Sequence, residues 1–173
     1  MYRLMLVDDE PLMLKALKRV LATDGRDIET YTDPHAALRR LRTTPFDLIL
    51  SDYRMPGMDG VQLLSAVREL QPESVRMVLS GYADLDAVMG AINEAGIVRF
   101  LSKPWQDHEL QASVEHALLY RDMLMENRRL ADQVRAQRRE LQRLEELHPG
   151  LTRVDWGDDG SILIDETTYS GDA

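Results

Sequence analysis

Residues 1–105 repeat one unit: a short, nearly unbroken apolar run, a polar loop, then apolar positions at helical spacing. The first run, residues 3–7 (RLMLV), is the kind of strand that a parallel sheet buries on both faces. Asp9-Glu10-Pro11 opens a helix, because proline costs nothing at a first position whose N–H has no helical partner. Leu14, Leu17 and Leu21 follow on one face. A weaker strand is predicted at 27–31, and Asp33-Pro34 starts a second helix with Ala37, Leu38 and Leu41 on one side. Residues 46–50 (FDLIL) form the third strand, ending at Ser51-Asp52. Asp59 then serves as N-cap to a helix with Val61, Leu64, Val67 and Leu70 facing inward. The fourth strand, 75–79 (VRMVL), leads into Ser80-Gly81-Tyr82. Asp84 starts a helix carrying Leu85, Val88, Met89 and Ile92, and Gly96 suits its C-terminal cap. The fifth strand, 97–101 (IVRFL), is closed by Ser102-Lys103-Pro104.

Strands that alternate with helices predict an α/β fold: a doubly wound parallel sheet with right-handed crossovers and helices on both faces. In such folds the site lies beyond the carboxyl ends of the strands, where the strand order switches. The chemistry sits there. Strand one ends in Asp8-Asp9, strand three in Asp52, strand four in Ser80 and strand five in Lys103. Three carboxylates in one crevice repel one another unless a cation neutralises them. Hard oxygen ligands supplied in small number suit Mg²⁺, which binds through one or two carboxylates and keeps several waters. A lysine and a hydroxyl opposite would meet the remaining oxygens of a phosphoryl group.

Composition narrows the picture without changing it. At 173 residues, 44% hydrophobic and 29% charged, the chain has the balance of a soluble domain with an appendage. The net charge of -9 argues against a general polyanion binder. No apolar run approaches the ~20 residues of a membrane span, and no signal peptide opens the chain. With no cysteine, disulfides and thiolate metal sites are excluded, and a cytoplasmic location is expected. His35, His108, His116 and His148 have no metal-ligand spacing and read as surface or helix residues.

The spacing VDDE, LILSDYRMPGMDG, LSGYAD, LSKPW resembles the receiver domains of two-component systems. The likeness is strongest to those joined to enhancer-type transcription activators and HD-GYP phosphodiesterases, and it covers about residues 1–120. It implies a flavodoxin-like five-stranded sheet of order 2-1-3-4-5. It implies that Asp52 is the phosphoacceptor, that Asp9 binds Mg²⁺ directly with Asp8 assisting, and that the backbone carbonyl of Arg54 is a further ligand along with Asp52. Ser80 matches the switch hydroxyl, Lys103 the cation that pairs with the phosphoryl group, and Phe100 the aromatic switch position, where the family more often has Tyr. The Lys103-Pro104 bond is expected to be cis. The implied phosphoryl donor is a histidine kinase or phosphotransfer protein.

A receiver alone ends near residue 120, but here the last helix starts around Gln106 and meets no Gly or Pro until Pro149-Gly150. At ~1.5 Å per residue that predicts a rod of roughly 60 Å, which needs a partner for its apolar stripe. A heptad frame fits residues 121–148, with Tyr120, Asn127, Val134 and Leu141 at a and Met123, Leu130, Gln137 and Leu144 at d. Paired buried Asn at a favours a parallel two-stranded coil, although Glu140 would face Glu145 of the partner, a repulsive pair. The reading is therefore a parallel homodimer, with an antiparallel hairpin or docking onto another protein as alternatives. Arginines at 128, 129, 135, 138, 139 and 143 are interleaved with acids, as on a solvated coiled-coil surface. Residues 151–166, within a tail of 149–173, alternate around Gly157-Asp158-Asp159-Gly160 and predict a β-hairpin, and 167–173 are expected to be disordered. The functional expectation is a phosphorylation-controlled dimeric signalling protein acting on an unidentified protein client, with no turnover of an external metabolite. A DNA-binding transcription regulator and a phosphate sink are the other two readings.

Overall fold

The computed structural model describes residues 1–81 and 95–149, together with two short strands near the C-terminus. Five strands form one parallel sheet: β1 (Tyr2–Val7), β2 (Arg26–Tyr31), β3 (Leu48–Asp52), β4 (Val75–Gly81) and β5 (Ile97–Lys103), in the order β2-β1-β3-β4-β5. Between them run α1 (Pro11–Leu21), α2 (Pro34–Leu41) and α3 (Gly60–Leu70), and α4 (Asp107–Leu147) follows β5. The doubly wound fold and its strand order are those expected. The helix predicted from Asp84, with Tyr82 before it, falls outside the described residues. The chain divides into two compact units, Met1–Glu126 and Asn127–Ala173.

Alternation of period two along each strand sorts the sheet into two cores. Leu4, Leu6, Leu48, Leu50, Met77 and Leu79 face α1 and α4, where Leu14, Leu17 and Leu21 meet Leu110, Val114, Ala117 and Leu118. Met5, Val7, Ile49 and Val78 face the other way, against Ala37 and Leu41 of α2 and Leu63, Leu64 and Val67 of α3. Each fully buried side chain of this size contributes about 1.5–3 kcal/mol, which is why the strands read as continuous apolar runs.

Local chemistry sets the helix starts. The Asp33 carboxylate accepts from the backbone N–H of His35 and Ala36, with Pro34 at the first position of α2. Asp59 and Gln62 form a reciprocal capping box at α3. Gly60, the first residue of α3, lies so close to the end of β3 that a Cβ there would stand 2.1 Å from the Asp52 carbonyl oxygen.

Two expectations need correction. β3 starts at Leu48 instead of Phe46, because the Phe46 N–H donates to the Gln71 side chain at 2.8 Å and not to a neighbouring strand; its end at Asp52, in register with Leu79, is the one expected. Leu70 is 40% exposed instead of facing inward. It is the last residue of α3, and Leu63 takes the inward position with Leu64 and Val67.

In the first unit, α4 is tied down by polar contacts as well as by its apolar face. Gln111 Nε2 donates to the Val20 carbonyl at 2.9 Å, the Arg121 guanidinium pairs with Asp47 at 2.8 Å, and the Tyr2 hydroxyl donates to Asp122 at 2.5 Å. In the second unit, the heptad residues Leu130, Val134 and Leu141 are each about half exposed, and Asn127 on the same helix is exposed. Asp132 and Arg135 pair along that helix, and the neighbouring guanidinium holds the Asp132 carboxyl below its ordinary range. Strands β6 (Asp155–Trp156) and β7 (Ile162–Leu163) pair antiparallel, Asp155 opposite Leu163 and Trp156 opposite Ile162. The rest of the predicted hairpin and residues 167–173 lie outside the described residues.

An acid limb of stability arises at Glu29. Its carboxylate receives two hydrogen bonds from Arg40, at 2.9 and 2.8 Å, and one from the Tyr31 hydroxyl at 2.6 Å. The Arg40 bonds lower its pKa to about 2 from an ordinary 4.5. A depressed carboxylate pKa stabilises the fold above the unfolded value, and that contribution is lost as the pH falls through the folded value. Glu29→Gln should therefore cost about 1–2 kcal/mol at neutral pH, discounted for partial exposure, and nothing near pH ~2. Urea titrations across that range measure it, and an equal cost at both ends would rule out the ionic origin. Gly60→Ala should cost about 1–3 kcal/mol, because backbone at Asp52 and Tyr53 must shift to admit the methyl group. A variant with the native urea midpoint would contradict that close approach.

Candidate phosphoryl-transfer site

The crevice lies beyond the carboxyl ends of β1, β3, β4 and β5. Asp8 directly follows β1 and is fully buried, while Asp52 closes β3 at 6% exposure. Lys103, the last residue of β5, places its Nζ 2.9 Å from Asp8 Oδ2 and 2.5 Å from Asp52 Oδ1. The other Asp8 oxygen accepts from the Glu10 N–H at 2.9 Å, which turns the chain into α1. Arg54 brings a backbone hydrogen bond to Asp52, so the backbone at Arg54 runs beside the carboxylate. Ser80 is 1% exposed, one residue beyond the Asp52–Leu79 pair, and its hydroxyl donates to the Gly81 carbonyl at 3.3 Å. The Lys103-Pro104 bond is cis, as expected.

Burial raises the Asp52 pKa above its ordinary value, and the Asp8 charge adds to this against the lowering effect of Lys103. Burial would lower that of Lys103, but hydrogen bonds to Asp52 and Asp8 outweigh it and raise it overall. The two shifts have different causes, burial for Asp52 and the paired carboxylates for Lys103, but two buried carboxylates sharing one ammonium make a site that accepts a further cation.

Not every expected residue is gathered in. Asp9 is exposed, and among the described residues no group of three or more acidic or histidine side chains stands at metal-holding spacing. Asp8 and Asp52 are drawn together by Lys103, whereas Asp9 stays at the rim. Phe100 is half buried against the α2/α3 core, and all four histidines are exposed. The donor set nonetheless suits a hard divalent ion. Two buried carboxylates, a third at the rim and a backbone carbonyl are the oxygen ligands that Mg²⁺ takes with its waters, and the electrostatic demand has the right sign.

Sequence reading missed Arg76. This arginine is 8% exposed inside β4, yet it donates to the carbonyls of Ala95 at 2.9 Å, Gly96 at 3.2 Å and Ser74 at 2.7 Å. It fastens the start of β5 to β4, and a lone cation within an apolar strand was its only signal. Gly96 itself has a φ of +59°, a conformation glycine adopts without strain.

Residues 4–115 match the family model of the response regulator receiver domain. The hydrogenase transcriptional regulatory protein HoxA of Cupriavidus necator is 40% identical over 114 residues, 66% of this chain and 23% of HoxA. The chain thus spans about a quarter of that relative's length. Among solved structures, an uncharacterized protein of Neptuniibacter caesariensis is 43% identical, with a TM-score of 0.69 over 73% of this chain and 93% of its own. The signal receiver domain of an HD domain-containing protein from Pseudomonas fluorescens Pf-5 is 34% identical, with a TM-score of 0.67 over 70% and 98%. The crevice and these likenesses agree, and the chain belongs to the response regulator receiver family.

Proposed function

We propose that Asp52 accepts a phosphoryl group from a histidine kinase or phosphotransfer protein, and that the modified receiver controls a protein client through a dimeric helix. The observation that carries this reading is the Lys103 ammonium held between the buried carboxylates of Asp8 and Asp52. Receivers are signalling domains that take phosphate from histidine kinases and do not turn over metabolites. In the proposed reaction an Asp52 oxygen forms the new P–O bond as the P–N bond to the donor imidazole breaks, and the imidazole takes up a proton. Lys103 meets the charge on the phosphoryl oxygens. Asp8, Asp9, Asp52 and the carbonyl of Arg54 would hold Mg²⁺, which when bound supplies the positive charge that the crevice favours. Ser80 then turns its hydroxyl to the phosphoryl group, and Phe100 follows it inward, changing the α2/α3 side of the receiver.

The output half of the proposal is a parallel homodimer through residues 121–148. What supports it is the row of exposed apolar side chains on α4, with Tyr120, Met123, Leu130, Val134 and Leu141 between 46% and 65% exposed. Leu144 is less exposed, and Asn127 is exposed. A single helix does not keep such a row in water without a partner. Arginine and acid alternate around it, which favours a solvated coil over a nucleic-acid surface. A second reading, a transcription regulator that binds DNA, has support in HoxA being a transcriptional regulatory protein, of which the chain covers about a quarter.

Light scattering with Mg²⁺, before and after beryllofluoride as a phosphoryl mimic, tests the first half. The native protein is expected to change size or shape, and Asp52→Asn to stay unchanged. A response that survives in Asp52→Asn would exclude Asp52 as acceptor. For the helix, Leu130→Asp with Val134→Asp should convert a dimer to a monomer at micromolar concentration. A native chain that is already monomeric with and without beryllofluoride would refute the coiled coil. Salt-dependent binding of duplex DNA would instead favour the second reading.

A further inference from the structure

We propose that Trp105 carries the state of the Asp52 crevice to α4, so that the signal to the long helix leaves through Lys103 and Trp105 instead of Phe100. This rests on the reading of Asp52 as phosphoacceptor. β5 and the segment that follows it divide their side chains between the two cores. Phe100 packs against the cluster formed with α2 and α3, whereas Leu101 and Trp105 pack against the cluster formed with α1 and α4. All the buried residues of α4 that are apolar, Leu110, Val114, Ala117 and Leu118, belong to this second cluster. An inward turn of Phe100 therefore moves side chains on the face of the sheet away from α4.

Lys103 is differently placed. Its ammonium holds Asp8 and Asp52 at once, so a phosphoryl group on Asp52 gives it new oxygens to serve and draws it from its present position. Only Pro104, whose ring fixes its own φ, stands between Lys103 and Trp105, so the segment has little slack to absorb such a shift. Trp105 is half buried against a close-packed core, and packed cores respond to small displacements by repacking between discrete arrangements. Trp105 is a positioning residue in this scheme: it touches no phosphoryl oxygen and acts on α4.

The chain has two tryptophans, so Trp156→Phe leaves Trp105 as the sole indole reporter in the full-length protein. With Mg²⁺ and beryllofluoride, its emission should shift, and the shift should vanish with Asp52→Asn. Hydrogen exchange over residues 107–118 should change on the same additions in the native protein, in Trp105→Phe and in Phe100→Ala. In Trp105→Ala that change should be lost, although phosphoryl uptake at Asp52 from acetyl phosphate stays at the native rate. Uptake at the native rate with unshifted Trp105 emission would overturn the lever alone. So would an exchange response kept in Trp105→Ala and lost in Phe100→Ala. Absence of uptake in the native chain would overturn both the lever and the reading on which it rests.

Discussion

Two carboxylates buried at the end of a sheet are a standing cost, because removing each from water is expensive and their charges repel. In this protein the cost is met by one ammonium, which reaches both. Lys103 stands on the edge strand β5, while Asp52 ends β3 and Asp8 follows β1, so the lysine must cross the end of β4. The two residues that close β4 are Ser80 and Gly81, and Gly81 is the register partner of Lys103. Small groups there leave the path open. The chemistry of the crevice thus depends on strand order, on β4 and β5 running two residues past the Asp52–Leu79 pair, and on the near absence of side chain at one position of β4.

The same arrangement explains how a chemical event at Asp52 would be felt elsewhere. Asp52 is the last residue of β3, and its carbonyl is pressed by the start of α3 at Gly60, where no Cβ fits. Its carboxylate is shared with Asp8 through Lys103, which continues through Pro104 into the core beneath α4. A dianion on Asp52 would meet close-packed cores on both faces of the sheet.

The first turns of α4 belong to the receiver as firmly as any strand. Its apolar face closes one core, and toward Glu126 the pairs Arg121–Asp47 and Tyr2–Asp122 join the helix to the starts of β3 and β1. Burial and the bond to Asp122 raise the Tyr2 hydroxyl's pKa, the hydrogen bond being the larger effect, so the phenol stays a donor. Farther along, the helix leaves apolar residues exposed and relies on intrahelical charge pairs such as Asp132–Arg135. One helix therefore combines a segment set by the receiver's core with a segment whose apolar positions stay exposed.

Much of this was determined by the sequence. Continuous apolar runs marked the strands, Asp33 and Asp59 marked helix starts through caps that act within four residues, and five polar groups at strand ends marked the crevice. These features are local or periodic, and periodicity encodes which face is buried. Tertiary structure alone decided the rest. It put Asp8 with Asp52 and left Asp9 at the rim, turned Leu70 to solvent, buried Arg76 among three carbonyls, and brought Tyr2 to Asp122 across 120 residues. Such pairings depend on which distant atoms share a low-dielectric neighbourhood, and no local spacing records that, because the energy of a buried charge or hydrogen bond is set by the groups that surround it in space.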